Sequence, residues 1–346
     1  MSASETILKD FGLNVSELSL LASLQLHLVD ADIEATTRTV LVGDNSAELK
    51  SKKRKWRERW VDLVLKGFAE MSTDEKPALW SRDSNEFEHE TKRLRGLSDR
   101  VRSGILLLEL VAWDAYWPFE KNEKTFRGLQ LCRKEHDRLL ERTSEALGFP
   151  AGRAKELRKS LEKAHKALSG YWFKVAIGIV AGLGIGALTL GIAAPFIAGA
   201  VGGAMGLGGA AAVNAGLAAI GGGAVAAGGF GMTGGMVVLV GGGALLGLGA
   251  GGIAGTTIAN LTAVSILLSA AKLEVVLREF ILQGQRDTAK AQSFLVAQRD
   301  AIQALEREID ALRFAGTKSD ERVKELERAL HILEGALRRN QGIVNG

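Results

Sequence analysis

Between Lys174 and Lys272 the chain has no Asp, Glu, Lys, Arg or His, a run of 97 residues without an ionisable side chain. A buried core helix uses about 10 to 14 apolar residues, whereas a charge-free run of about 18 or more is the signature of a membrane span. A water-soluble domain of this length would need charged positions on its surface, and this run has none. At about 20 residues per span there is room for two to four. A Gly/Ala linker is also possible, because 28 of the 42 glycines fall in the run. However, "FKVAIGIVAGLGIGALTLGI", "MVVLVGGGALLGLGAGGI" and "IANLTAVSILLSAAKLEVVL" carry too much Val, Ile and Leu for a solvated linker.

The glycines are spaced for helix packing. Gly178, Gly182 and Gly186 recur every four residues, as do Gly243, Gly247, Gly251 and Gly255, with Ala259 continuing the row. Four-residue spacing aligns them along one stripe of a helix. In lipid no hydrophobic effect joins helices, so close van der Waals contact along small residues supplies much of the association. Glycine costs helix stability in water, but a bilayer tolerates it because unwinding would expose peptide groups to hydrocarbon. A phosphate-binding reading is weaker. Gly247, Gly249 and Gly252 match G-x-G-x-x-G, yet the nearest acid is Glu274 and no strand–helix alternation surrounds them.

The borders of the run fit a membrane boundary. Tyr171, Trp172 and Lys174 offer amphipathic aromatics and a snorkelling cation where a first span begins. Residues 153–174 hold seven Lys/Arg against two Glu, and 272–290 hold four bases and three acids. Bases at both borders predict an even number of spans, two or four, with both flanks in the cytoplasm. Pro195 and the stretch from Asn214 to Thr233 are candidate turns.

The segment "LAAIGGGAVAAGGFGMTGG", residues 217–235, resembles the glycine-zipper segments of bacterial membrane proteins and is similar to the Gly/Ala-rich segment of the interferon-inducible 6-16 family. That resemblance implies membrane-embedded helices and transfers no catalytic residue or ligand. The plan, a helical body interrupted by a hydrophobic hairpin, is similar to that of α-helical pore-forming toxins and apolipoprotein L-like proteins.

The flanks read as helices, so the fold class is all-α: a helical domain over 1–170, a glycine-zipper transmembrane region over 171–271, and a coiled-coil tail over 272–346. In the first flank Val15, Leu18, Leu21, Ala22, Leu26 and Val29 share a helical face. "SGILLLELVAWDAYWPFE" is an apolar segment stopped at Pro118, and a helix ends at Gly148 with Pro150 beyond. In the tail Leu295, Ile302 and Ile309 take heptad position a, with Leu305 and Leu312 at d. Val323, Leu326, Leu330, Leu333 and Leu337 resume the same register. Gly316 suits a C-cap and Ser319 an N-cap, which favours an antiparallel hairpin over one long helix. Its seam is short enough to pack on the first flank as well as on a second chain.

"KSKKRKWRERW" sets Lys50, Lys52, Lys53, Arg54, Lys55, Arg57 and Arg59 around Trp56 and Trp60. Trp56, Trp60, Val64 and Phe68 form an i, i+4 stripe. An ordinary helix with buried aromatics is the first reading. An interfacial helix, with Trp56 and Trp60 at an anionic membrane surface, is the second, and a nucleic-acid patch the third. Trp113, Tyr116, Trp117 and Phe119 form a second aromatic cluster, read as core.

Nothing points to catalysis, a cofactor or a metal. His27, His89, His136, His165 and His331 are scattered, and "HETKR" puts Arg93 where H-E-x-x-H needs its second histidine. Cys132, the single cysteine, excludes an internal disulfide and stands four residues before His136 as a half-buried thiol beside a surface imidazole. The start of the sequence, acidic and without a basic region before an apolar run, predicts no cleaved secretory signal. The expectation is an integral membrane protein that oligomerises through its glycine rows and forms a pore or perturbs the bilayer. The alternative is a membrane-anchored scaffold that recruits a protein partner through residues 272–346. The expected partners are thus the lipid bilayer, further copies of the chain and such a protein; net charge +4 gives nucleic acid little support.

Overall fold

The computed structural model describes residues 13–39, 46–70, 77–98, 100–113, 115–116, 125–126, 128–169, 263–314 and 320–346. These residues are helical with connecting turns, and no strand occurs among them. The elements are α1 (Val15–Thr39), α2 (Ser46–Glu70), α3 (Asn85–Gly96), α4 (Val101–Ala112), α5 (Arg133–Ala146), α6 (Arg153–Ser169), α7 (Ala263–Val275), a π-helical continuation of α7 (Val276–Gln285), α8 (Thr288–Phe314) and α9 (Asp320–Asn345).

Helix α4 is the axis of the fold. Its sequence, VRSGILLLELVA, is apolar nearly all round, and only Arg102 and Ala112 escape burial. A helix hydrophobic on every face must be surrounded. Here α1, α3, α5, α6 and the π-helical segment surround it. Helices from both flanks therefore share one hydrophobic cluster, in which Leu21, Trp60 and Leu107 are continuous with Leu277, Phe294 and Leu333.

Local sequence explains the helix ends. Asn14 Oδ1 accepts from the Glu17 N–H at 2.8 Å while Glu17 Oε2 accepts from the Asn14 N–H at 2.9 Å, a reciprocal capping box. After α5, Gly148 takes φ +85° and donates to Glu145, and Phe149 donates to Ser144. That is the Schellman stop expected at Gly148. Helix α4 ends earlier than Pro118, at Ala112, where the backbone of Trp113 turns extended. Beyond the stop, Tyr116 stands at φ 69°. Its hydroxyl donates to Asp32 at 2.5 Å and its ring meets Trp56 edge-on at 5.2 Å. These contacts hold a bulky residue in the left-handed region, which costs about 1–3 kcal/mol.

The tail is a hairpin. Arg313 on α8 pairs with Glu327 on α9, and Gln298 on α8 accepts from Asn340 on α9. As α8 advances, its partners on α9 recede, so the two helices run antiparallel. Leu295, Ile302, Leu305, Ile309, Leu326 and Leu333 are buried, and Leu312, Val323, Leu330 and Leu337 are partly buried against the core. Gly316 and Ser319 lie outside the described residues. The seam packs within the chain, because α7 lies along α9 and the π-helical segment along α8.

Asp32 is the polar hub of the first flank. It accepts from Lys53 Nζ at 2.6 Å, the Tyr116 hydroxyl and the Cys132 N–H at 2.5 Å, and Lys53 also bonds Thr36 at 3.0 Å. Two histidines are satisfied at one ring nitrogen at most, and His136, read from the sequence as a surface imidazole, is buried with its Nδ1 3.5 Å from Arg158. His27 Nδ1 and His136 Nε2 are buried without hydrogen-bond partners. Burial first, then Arg82, lowers His27 to about 4; burial first, then Arg158, lowers His136 to about 4.

Two outcomes follow from this packing. A Cβ on Gly104 would stand 2.1 Å from Phe280 Cε1, so Gly104→Ala should cost about 1–3 kcal/mol of stability, read as a lower urea midpoint. The losses from Gly104→Ala and Phe280→Leu should be less than additive if the two sites touch. For the histidines, a folded pKa near 4 lies below the unfolded value of 6.5, so the unfolded chain binds more protons between them. Their stability is full above pH 6.5 and declines as pH falls towards 4. His136 should account for roughly 2 kcal/mol lost between pH 7.5 and pH 5, and His136→Gln should flatten the urea-measured profile.

Candidate functional site

The charge-free segment leaves the described helices at Ser169, the end of α6, and returns at Ala263, the start of α7. Their mutual arrangement decides how it can be presented. Arg153, the first residue of α6, pairs with Glu279 at 3.1 Å, and Ser160 Oγ donates to the same carboxylate at 2.8 Å. Glu279 follows α7 in the chain and meets the first half of α6. Helix α7 also packs along α6, so it must lie beside the second half and run antiparallel to it. A parallel pair would carry α7 past the start of α6 and out of contact. Ser169 and Ala263 therefore sit at the same end of the bundle.

The first charges after the segment form the anchor. Lys272 Nζ lies 2.6 Å from Glu109 Oε2 on α4, and both side chains are about 95% buried. Glu274, with no exposed surface, takes Arg339 of α9 in a two-pronged contact at 2.8 and 2.9 Å and Arg278 at 3.4 Å. Burial holds the Glu109 carboxyl above the usual carboxylate range despite Lys272 beside it. Burial also pushes Glu279 upward, but hydrogen bonds from Ser160 and Arg153 and the charge of Arg278 outweigh it, leaving it lowered. Lys272 thus joins the returning helix to α4, Glu274 joins it to α9, and Glu279 joins the following π-helical turns to α6. These contacts act as a clamp.

Of the three readings of the basic stretch of α2, the structure agrees with the first, an ordinary helix with buried aromatics. Trp56 and Trp60 are 0% exposed and stack on each other at 6.2 Å, with Trp60 against Trp113 at 6.0 Å. Their assignment to a membrane interface is corrected: the i, i+4 stripe faces the core, where Val64 and Phe68 are also buried. Four of the seven neighbouring bases are in ion pairs, and Arg54 and Lys55 are exposed. Lys53 is in the Asp32 hub, Lys50 pairs with Glu34, Lys52 with Glu48 and Arg57 with Asp30. Trp113 and Tyr116 are core residues, as read; Trp117 and Phe119 lie outside the described residues.

Gly178, Gly182, Gly186, Gly243, Gly247, Gly251 and Gly255, with Tyr171, Trp172 and Lys174, also lie outside the described residues. Among the described residues no helix is long and apolar enough to cross a membrane, and no group of three His, Cys, Asp or Glu could hold a metal. Sequence reasoning missed Glu109, Glu274, Arg339 and Glu279. The available signal was the charge of Glu109 inside the otherwise apolar run ILLLELVA, which calls for a buried partner. In comparisons with known proteins, no family model, no curated protein and no solved structure matches this chain.

Removing one side of the clamp should be costly. Lys272→Met leaves Glu109 buried without its cation and should cost about 3–5 kcal/mol in urea unfolding, whereas Lys272→Met with Glu109→Leu should return most of that stability. Equal losses in the single and double variants would show that the pair does not hold α7 to α4.

Proposed function

We propose that this chain is an integral membrane protein whose charge-free segment, from residue 171 to the start of α7 at Ala263, enters the bilayer and self-associates through its glycine rows, opening a pore or perturbing the membrane. The observation that carries the reading is the 97-residue run without an ionisable group. Hydrocarbon is the environment in which such a run avoids both solvent-exposed apolar surface and the cost of charge burial. The antiparallel pairing of α6 with α7 supports an even number of passes, because the segment starts and finishes at one end of the helical body. Both flanks then lie on one side of the membrane, in agreement with bases at each border.

Oligomerisation is assigned to Gly178, Gly182, Gly186 and to Gly243, Gly247, Gly251, Gly255 rather than to the tail. The tail's heptad positions already pack within the chain. That occupancy also weakens the scaffold alternative, which needs the seam of residues 272–346 free for a partner. The flanking body is in this reading a clamp that gathers the ends of the inserted segment and limits when it can separate from the bundle.

Liposome reconstitution followed by alkaline carbonate extraction and protease mapping tests the reading. The segment should resist extraction, with epitopes at both termini cleaved from the same side. Dye release should fall several-fold for Gly247→Leu or Gly251→Leu, since a larger side chain keeps helix backbones apart. Extraction of intact protein by carbonate would defeat the proposal, and stable insertion without dye release would leave a tether in place of a pore.

A further inference from the structure

We propose that the cleft between α1, α3 and α5 binds a small amphiphilic carboxylate, an anionic head on an apolar body about the size of a benzene ring. The cleft has a volume of about 140 Å³, with Leu24, Phe87, Leu139 and Leu147 among its walls and Arg82 and Arg142 beside them. Its apolar lining and size set the guest's body: a dry apolar cavity of about 150 Å³ accommodates benzene, whereas a long acyl chain needs more room. Thr91 and Thr143 also line it, but each hydroxyl donates to its own helix, to Phe87 at 2.8 Å and Leu139 at 2.9 Å. Neither hydroxyl therefore calls for a polar guest.

The two arginines set the guest's head. No carboxylate lies within ion-pair distance of Arg82 or Arg142 among the described residues. The acids acting on Arg82 are Asp83, its chain neighbour, and Asp30, which already carries the guanidinium of Arg57. Both arginines are exposed at the mouth of the cleft, where partial desolvation and the charge of Arg142 hold Arg82 below the usual guanidinium range. Two cations that repel each other over an apolar cleft lack one shared anion. A carboxylate can accept from both, and guanidinium forks suit it better than a lysine would.

The positions of the arginines are built into the fold. Arg82 stands on the connection before α3, which is tied to α1 where Ser19 and Ser23 accept from the Ala78 and Trp80 N–H groups at 3.0 and 2.7 Å. Ser84 then caps α3 by accepting from the Phe87 N–H. Arg142 projects from α5, whose end is held by the Gly148 stop. The site owes nothing to residues 170–262, so it stands or falls apart from the membrane reading.

Calorimetric titration of the full chain in detergent micelles with phenylacetate tests the proposal, with thermal shift as a second readout. Benzyl alcohol, which keeps the ring and lacks the charge, and inorganic phosphate, which keeps the charge and lacks the ring, are the controls. Saturable one-to-one binding of phenylacetate is expected, at least tenfold tighter than either control. Arg82→Gln and Arg142→Gln should each weaken it about tenfold, and the double variant and Ala146→Phe, which crowds the cleft wall, should abolish it while circular dichroism stays unchanged. Absence of saturable binding, equal affinity for benzyl alcohol or phosphate, or full binding by the folded double variant would overturn the assignment.

Discussion

The structure depends on the contact between the helix that precedes the charge-free segment and the helix that follows it. Holding Ser169 and Ala263 at one end of the bundle closes a loop of 93 residues, which costs roughly 4 kcal/mol in chain entropy plus a constant. Buried apolar contact supplies most of the compensation, through Leu157, Leu161 and Ala164 on α6 and Leu267, Ala270 and Ala271 on α7. Ion pairs add direction. Lys272, Glu274 and Glu279 lie at or just beyond the last turns of α7 and bond three different helices. Buried pairs of this kind add little net stability, but each is costly to break on one side, so they penalise any shift in register.

The same logic recurs elsewhere in the bundle. Glu17 caps its own helix and, with no exposed surface, also takes Arg93 of α3 and Arg102 of α4. Asp32 gathers α1, α2 and the residues after α4 around one carboxylate. Gln298 and Asn340 meet across the α8–α9 hairpin at 2.9 Å, and one polar pair within an apolar seam selects a single register for it. Apolar burial drives these helices together, while buried polar contacts determine which alignment they adopt. Phe280 does this by shape: its ring occupies the space that Gly104 leaves on α4, with Phe149 at 6.4 Å and Arg153 over its face at 5.4 Å.

Periodicity and turn chemistry made much of the architecture legible in the sequence. The Gly148 stop, the heptads and the hairpin were readable because each is a local pattern with a local cause, whereas α1 is buried beyond its predicted face, with Leu20, Leu24 and Leu28 also in the core. Gln298 and Asn340 went unread, although both fall on d positions of the register that places Leu295 and Leu337 at a. The burial of Trp56 and Trp60 could not be decided from α2 alone. A tryptophan stripe beside lysines serves a core as well as a lipid surface, and Trp113 and Tyr116, more than fifty residues later, occupy the other side. Long-range pairs such as Lys272 with Glu109 were hidden for the same reason, because spacing within a helix says nothing about which distant helix will face it. The π-helical turns after Val275 carried no recognisable signal; they end where Arg286 adopts φ 54°.

A helical body that gathers both ends of a charge-free segment presents that segment as a closed excursion from one end of the bundle. This is the feature on which the membrane reading relies, and it is open to direct measurement. Spin labels at Ala167→Cys and Ala263→Cys, with Cys132→Ser removing the native thiol, report the separation of the two ends by pulsed electron resonance. Antiparallel packing of α6 and α7, with axes about 8–10 Å apart, predicts a single narrow distribution below about 25 Å once label arms are included. A distribution centred beyond about 40 Å would show that the segment begins and finishes at opposite ends of the body, and would contradict the account.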